Sequence, residues 1–254
     1  MFRLPVDYYE KDYIRLNPQC MEANEWKFSK IKPLLDELFR ECMGWKEVRL
    51  LDIGANEGLI LKRTASYLQC RYRIRVHKIG LDISHAVQEA MKRNNPDLLK
   101  ALNEDARKTS LLNKEVDIAL MIDVLEHIPQ PEQALRELQR VAKYAVLKVP
   151  LEKNVITILW NILIHNRERN YMIQRYGHIN TYSFPVLLKQ VREYLGSILA
   201  FGFTNEFAFA LENPEGMSFA KKAKSTIGRR LFNISPKLSS LLCGDFVMLL
   251  VKCY

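Results

Sequence analysis

Between Glu47 and Pro150 the sequence alternates short β-type runs with stretches of helical periodicity. That pattern leaves few folds open, because parallel strands are joined through crossover helices that cover the faces of the sheet. Val48–Ile53 reads as a first strand broken at Gly54, Val76–Asp82 as a second and residues 98–102 as a third. Val116–Ile122 is nearly all apolar, as expected of a central strand buried on both faces. Ser84 is placed to cap the helix after the second strand, and Pro131 to open a helix with Leu135, Leu138, Val141 and Ala142 on one face. A fifth strand over Tyr144–Val149 then stops at Pro150. Further on, Ser183 is placed to cap a helix running to about Leu199, followed by strand-like Phe201–Leu211 and a last strand over Phe246–Val251.

Residues 1–46 read as an N-terminal helical addition, with Leu34, Leu35, Leu38 and Phe39 sharing one face. Residues 47–254 read as one domain with insertions at 151–182 and 212–244. A length of 254 residues, 48% apolar and 26% charged, suits one elaborated domain and excludes a disordered or fibrous chain. Five scattered cysteines without a C-x-x-C, and a start without a continuous apolar core, predict a reduced cytoplasmic protein. The apolar run Val155–Ile164 is ten residues, so as a helix it would reach about 15 Å against about 30 Å of bilayer hydrocarbon. The net charge of +9 favours anionic partners: phosphates, acidic head groups or nucleic acid.

The turn Leu50-Leu51-Asp52-Ile53-Gly54-Ala55-Asn56-Glu57-Gly58 puts glycines at a strand-to-helix junction. There a missing Cβ lets a ligand approach the backbone, and a helix N-terminus presents free N–H groups. Asp82 closes the second strand at the carboxyl edge of the sheet, where an acid can accept the ribose hydroxyls of an adenosine group. Asp105 and Ala106 are expected at the same edge after the third strand. A nicotinamide dehydrogenase would want G-x-G-x-x-G with an acid about 20 residues on; the middle glycine is missing here and Asp82 comes later.

With Asp123-Val124-Leu125-Glu126-His127-Ile128-Pro129 after the fourth strand, the chain resembles the class I S-adenosylmethionine-dependent methyltransferases, in the type 11/23-like group with a D-V-L-E-H-I signature. The resemblance implies an α/β, Rossmann-like, doubly wound seven-stranded sheet with its last strand antiparallel. It implies S-adenosyl-L-methionine as cofactor, with Asp52, Gly54, Ala55, Asn56 and Gly58 under the methionine portion and Asp82 with Ile83 at the ribose. Asp105 and Ala106 would lie at adenine, and the Ile122-Asp123 edge near the sulfonium. The turn departs from the family in carrying Asn56 and Glu57 between its glycines.

Methyl transfer requires the acceptor held in line and, for a hydroxyl, a base nearby; nothing requires a metal. The long segment from Leu151 to Tyr182 is a candidate lid, with apolar Val155, Ile156, Ile158, Trp160, Ile162 and Leu163, and donors His165, Arg167, Arg169, Arg175, Tyr176 and His178. His178 is the candidate acceptor-side base, with His127 of the signature as a second candidate; a local packing role is open for both. Lys221, Lys222, Lys224, Arg229, Arg230 and Lys237 make the insertion before the last strand basic, a solvated face or a surface, over 219–237, for a phosphate-bearing or membrane-bound substrate. The expected activity is methylation, in particular O-methylation, of a small-molecule, glycan or lipid-linked acceptor. An RNA methyltransferase and a noncatalytic cofactor-binding module remain as alternatives, the first without any recognisable RNA-binding module. Arg71, Arg73, Arg75 and Lys78 are expected to face solvent.

Overall fold

A computed structural model describes residues 23–42, 44–163, 167–215 and 217–254. His165 and the stretch before residue 23 lie outside these. Seven strands form one sheet: β1 Glu47–Ile53, β2 Arg75–Leu81, β3 Leu98–Leu102, β4 Val116–Ile122, β5 Ala142–Pro150, β6 Gly196–Phe203 and β7 Phe246–Cys253. Their order is β3-β2-β1-β4-β5-β7-β6. β1 to β5 run parallel, and β7 inserts antiparallel between β5 and β6.

The period-2 alternation of strand side chains builds two cores. Leu50, Ile118, Leu120 and Val146 face one side, where they meet Leu35 and Leu38 of helix α1 (Asn24–Glu41) and Leu61 and Leu68 of α2 (Leu59–Tyr72). Their neighbours Leu51, Ala119, Met121 and Leu147 face the other. There they meet Leu135 and Leu138 of α4 (Pro131–Val141) and Leu187 and Val191 of α7 (Phe184–Tyr194). Burial on both faces explains why β4 reads as an apolar run broken only by Asp117.

Several expectations change. Helix α3 (Gln88–Asn94) starts later than Ser84 would allow, after Val87; the Ser84 backbone N–H instead donates to Asp82. α7 ends at Tyr194, and β6 begins at Gly196, where a Cβ would meet the Lys252 carbonyl oxygen at 2.0 Å. Residues 206–211, read as strand, belong to helix α8 (Glu206–Glu212): Asn205 adopts φ 56° and its side chain accepts from Ala208 N–H, a capping geometry that overrides the alternating phenylalanines. Pro150 ends β5 from within, and Lys78 is buried rather than solvent-facing, its ammonium held by Asn95 Oδ1 at 3.1 Å and by Asp97. The remaining helices lie between the late strands: α5 (Val155–Leu163) and α6 (Arg167–Tyr176) after β5, α9 (Phe219–Ile234) and α10 (Pro236–Cys243) before β7.

Candidate active site

The register aligns Asp52 with Gly80 and Ile53 with both Leu81 and Met121, so β1, β2 and β4 end at one edge. Gly54 and Ala55 N–H both donate to Leu81 O, at 2.8 and 3.0 Å, folding the turn across the end of β2. Gly54 sits at φ 70°, and a Cβ there would come within 2.5 Å of Val124 Cγ2. The glycine therefore lets the turn after β4 pack on the turn after β1, and its φ lies in the region that favours glycine. Gly58, at φ 72°, is the residue from which α2 starts.

Asp82 stands between these turns. Its carboxylate accepts from Asn56 N–H at 2.8 Å and from Ser84 N–H at 2.9 Å. Asn103 Nδ2 donates to the carbonyls of Asp82 and Ile83, at 3.1 and 3.0 Å, bracing the turn from the end of β3. Ile83 is 38% exposed. Asn56 Oδ1 and Ser84 Oγ are buried with no hydrogen-bond partner among the described residues. Buried polar atoms normally find partners, so an acceptor and a hydroxyl left over beside Asp82 suit a polar, hydroxyl-bearing ligand. Asp52 is buried nearby, and burial, with the charge of Asp82, pushes its carboxyl up to about 8. One proton near this edge is thus retained at neutral pH.

Asp105 is placed differently from its neighbours in the reading. Arg107 Nε lies 3.0 Å from each of its carboxylate oxygens and Arg107 N–H donates to one of them at 2.8 Å, and this pairing holds the carboxyl below its usual range. Its side chain is spent on bracing the loop, and Ala106 packs against the core.

Asp123 follows β4 in the left-handed region, φ 57°. Its carboxylate pairs with Lys148 of β5 and, at 3.1 Å, with Lys27 of α1. Burial works against its charge, but the two ammoniums outweigh it and hold the carboxyl far below its ordinary value. Lys148 is 1% exposed, with Nζ 3.4 Å from the Phe246 ring centroid; burial lowers its pKa against the pull of Asp123. Neither lysine was singled out from the sequence. The available signal was a lone charge in the apolar run of β5.

A second cluster adjoins this edge. Residues 177–180 clamp the signature turn: Asn180 N–H donates to Glu126 O at 3.0 Å, and Asn180 Nδ2 to Ile128 O at 2.8 Å. His127 Nδ1 lies 3.2 Å from Gly177 O, and Arg169 donates to the carbonyls of His178 and Ile179 at 2.6 and 2.7 Å. His178 stands 4.9 Å from His127, ring to ring, and its Nδ1 bonds to the carboxylate of Glu152. With Nδ1–H donating to Glu152, Nε2 of His178 is left as a proton acceptor.

The charges here differ in sign of shift. For His178 burial disfavours the cation, but the Glu152 hydrogen bond, with the charges of Glu152 and Asp123, prevails and raises its pKa. His127 is depressed to about 3 by burial and by His178, so it stays neutral. Glu126 is fully buried, both its carboxylate oxygens lack a hydrogen-bond partner among the described residues, and burial pushes it up to about 8. The ligand atoms of Glu126, His127 and His178 lie within 4.8 Å of one another, a donor set of the type that holds divalent cations. A proton retained by Glu126 neutralises the same buried charge without a cation.

Three comparisons bear on this geometry. Residues 51–145 match the family described as a methyltransferase domain. No curated protein sequence matches the chain. Among solved structures, the methyltransferase complexed with the Haloferax volcanii Trm112 methyltransferase activator is similar over 100% of this chain and 99% of its own, at TM-score 0.63 and 16% identity. A Galdieria sulphuraria protein described as a putative sarcosine dimethylglycine methyltransferase is similar over 98% of this chain and 90% of its own, at TM-score 0.57 and 16% identity. The phosphoethanolamine N-methyltransferase 2 of Haemonchus contortus, solved with S-adenosyl-L-methionine, is similar over 98% of this chain and 60% of its own, at TM-score 0.57 and 13% identity. The chain thus has the class I fold, and its residues 51–145 match a methyltransferase domain.

Proposed function

We propose that the protein O-methylates a hydroxyl on a small-molecule, glycan or lipid-linked acceptor, with His178 as the acceptor-side base. The observation that carries this reading is the Glu152–His178 pair, brought by the 151–182 segment to the edge where β4 ends. S-adenosylmethionine supplies an electrophilic methyl group on a sulfonium. Asp82 accepts the ribose hydroxyls, with Asn56 and Ser84 offering their unused polar atoms beside it. Ile83 and Ala106 offer apolar surface to the base, and Gly54, Ala55 and Gly58 keep the backbone close to the methionine end.

Glu152 fixes the tautomer and orientation of His178, whose Nε2 would take the hydroxyl proton while the acceptor oxygen takes the methyl group, the carbon–sulfur bond breaking with its electron pair left on the sulfur, which departs as a neutral thioether. His127 is a positioning residue: its Nδ1–H holds Gly177 and thereby the lid. The fold alone does not select this chemistry, since a [4+2]-cyclase, SpnF, has the same fold at TM-score 0.54.

The test pairs calorimetry with turnover on hydroxylated acceptors. His178→Ala should keep its S-adenosylmethionine affinity and lose about 10²–10⁴ in kcat. Full activity in that variant, or an equal loss of affinity and of folded stability, would return the histidine to the scaffold.

A further inference from the structure

Helix α5 is built inside out. Around its nine residues the two half-buried positions are Thr157 and Asn161, one turn apart, and Asn161 Oδ1 accepts from Arg169 N–H at 3.2 Å. The opposite arc is aliphatic and open: Leu159 is 57% exposed, Ile162 69% and Leu163 70%, with Trp160 at its margin 50% exposed. A helix on a water-facing surface turns its apolar stripe to the core and its polar face outward; here the arrangement is reversed.

The apolar surface does not end with that helix. α5 packs on α10 and α10 on α9. Leu238 and Leu241 on α10, and Ile227 and Ile234 seven residues apart on α9, are 40–77% exposed. Between Phe219 and Cys243 the sequence holds six basic residues and no acidic one. Arg230, one turn before Ile234, and Lys237, next to Leu238, stand exposed beside the aliphatic positions, and Lys222 and Arg229 are exposed further round α9.

We propose that α5, α9 and α10 together form a docking surface for an anionic lipid bilayer. Aliphatic side chains flanked by exposed cations match the layering of acyl chains beneath acidic head groups, and each basic group near such a surface contributes to attraction. No helix among the described residues is long and apolar enough to cross a membrane, so the contact is interfacial. Trp160, at the border of the apolar arc, occupies the place where an amphipathic ring sits at head-group depth. Nucleic acid fits the charge less specifically: apart from the rings of Trp160 and Phe219, the exposed apolar positions are aliphatic carbon, not a row of flat rings for successive bases to stack on. The surface lies on the helices that follow the ends of β5 and precede β7, so docking would set the 151–182 segment against the membrane. The inference goes beyond the acceptor reading and does not depend on which hydroxyl is methylated.

The test uses the full chain and needs no acceptor. Sedimentation with phosphatidylcholine vesicles, with and without phosphatidylglycerol, should show binding that requires the anionic lipid and weakens with salt. Tryptophan emission should shift to the blue on binding, and Trp160→Phe should remove that shift. Ile162→Glu and Leu163→Glu should each weaken vesicle binding by about tenfold or more, with S-adenosylmethionine affinity unchanged as proof of folding. Failure to bind vesicles of either composition by a chain that binds the cofactor would overturn the proposal. So would salt-sensitive binding to RNA without vesicle binding, or a dimer that dissociates in the α5 variants while wild type ignores lipid. A failed His178→Ala test with intact vesicle binding would overturn only the acceptor chemistry.

Discussion

On the cofactor side of the site the connections are made by the main chain: Gly54 and Ala55 N–H to Leu81 O, and Asn56 and Ser84 N–H to the one carboxylate of Asp82. On the acceptor side they are made by side chains: Glu152 to His178, His127 to Gly177, Arg169 and Asn180 to the carbonyls of 178–179 and 125–128. Backbone amides present the same donor whatever the residue, so the first arrangement depends on glycine geometry and a single acid. The second depends on the identity and protonation of several groups at once. One half thus keeps a constant shape, with Asp52 as its titrating group, and the other can be tuned to an acceptor.

The largest effect should come where the two halves meet. Asp123→Ala would leave Lys148, 1% exposed, facing Lys27 with no carboxylate between them, and should cost about 3–5 kcal/mol of stability in denaturant unfolding. A loss under about 1 kcal/mol would mean that water already shields the two ammoniums. Next comes Asp82→Ala, expected to weaken S-adenosylmethionine by about 1.5–3 kcal/mol, roughly 10- to 150-fold, through loss of charge-assisted bonds. Calorimetry on the folded variant decides it, and unchanged affinity would remove Asp82 from the ribose.

A smaller effect separates the halves by pH. Because its pKa is raised, His178 should lose its proton only above the ordinary imidazole value of about 6.5, so kcat should fall with acid through a limb lying above that pH. Glu152→Gln should move the limb to lower pH. The stability from the Glu152–His178 pair runs the other way: it is fully present below the unfolded pKa and is lost as pH rises through the folded one. Cofactor affinity should be the same in Glu152→Gln as in the unchanged protein. The smallest expected effect is from chelation. With Glu126 pushed up to about 8 it keeps its proton at neutral pH, and EDTA should leave turnover unchanged. A chelator-sensitive rate would place a cation between Glu126, His127 and His178.

The same division governs what the sequence could reveal. Strand periodicity, the glycine turn and the Pro131 start are local, and the sheet with its edge acids was legible from them. The helix over Glu206–Glu212 was misread because a single cap at Asn205 outweighs the alternation of Phe201, Phe203, Phe207 and Phe209. Lys27, Lys148 and Glu152 carry no motif; their roles arise from partners 96, 25 and 26 positions away. Apolarity in α5 was visible, but not its direction, since only tertiary placement shows Thr157 and Asn161 turned inward.

The contact of Gly54 with Val124 has a genetic consequence. The space a methyl would need at position 54 is held by an isopropyl group 70 residues later, so the two sites share one volume. Their substitutions should be epistatic: a side chain at 54 is burdened by both its backbone angle and Val124, and a smaller residue at 124 relieves only the second. In descendants of this sequence, residue 124 is where the history of position 54 would be recorded.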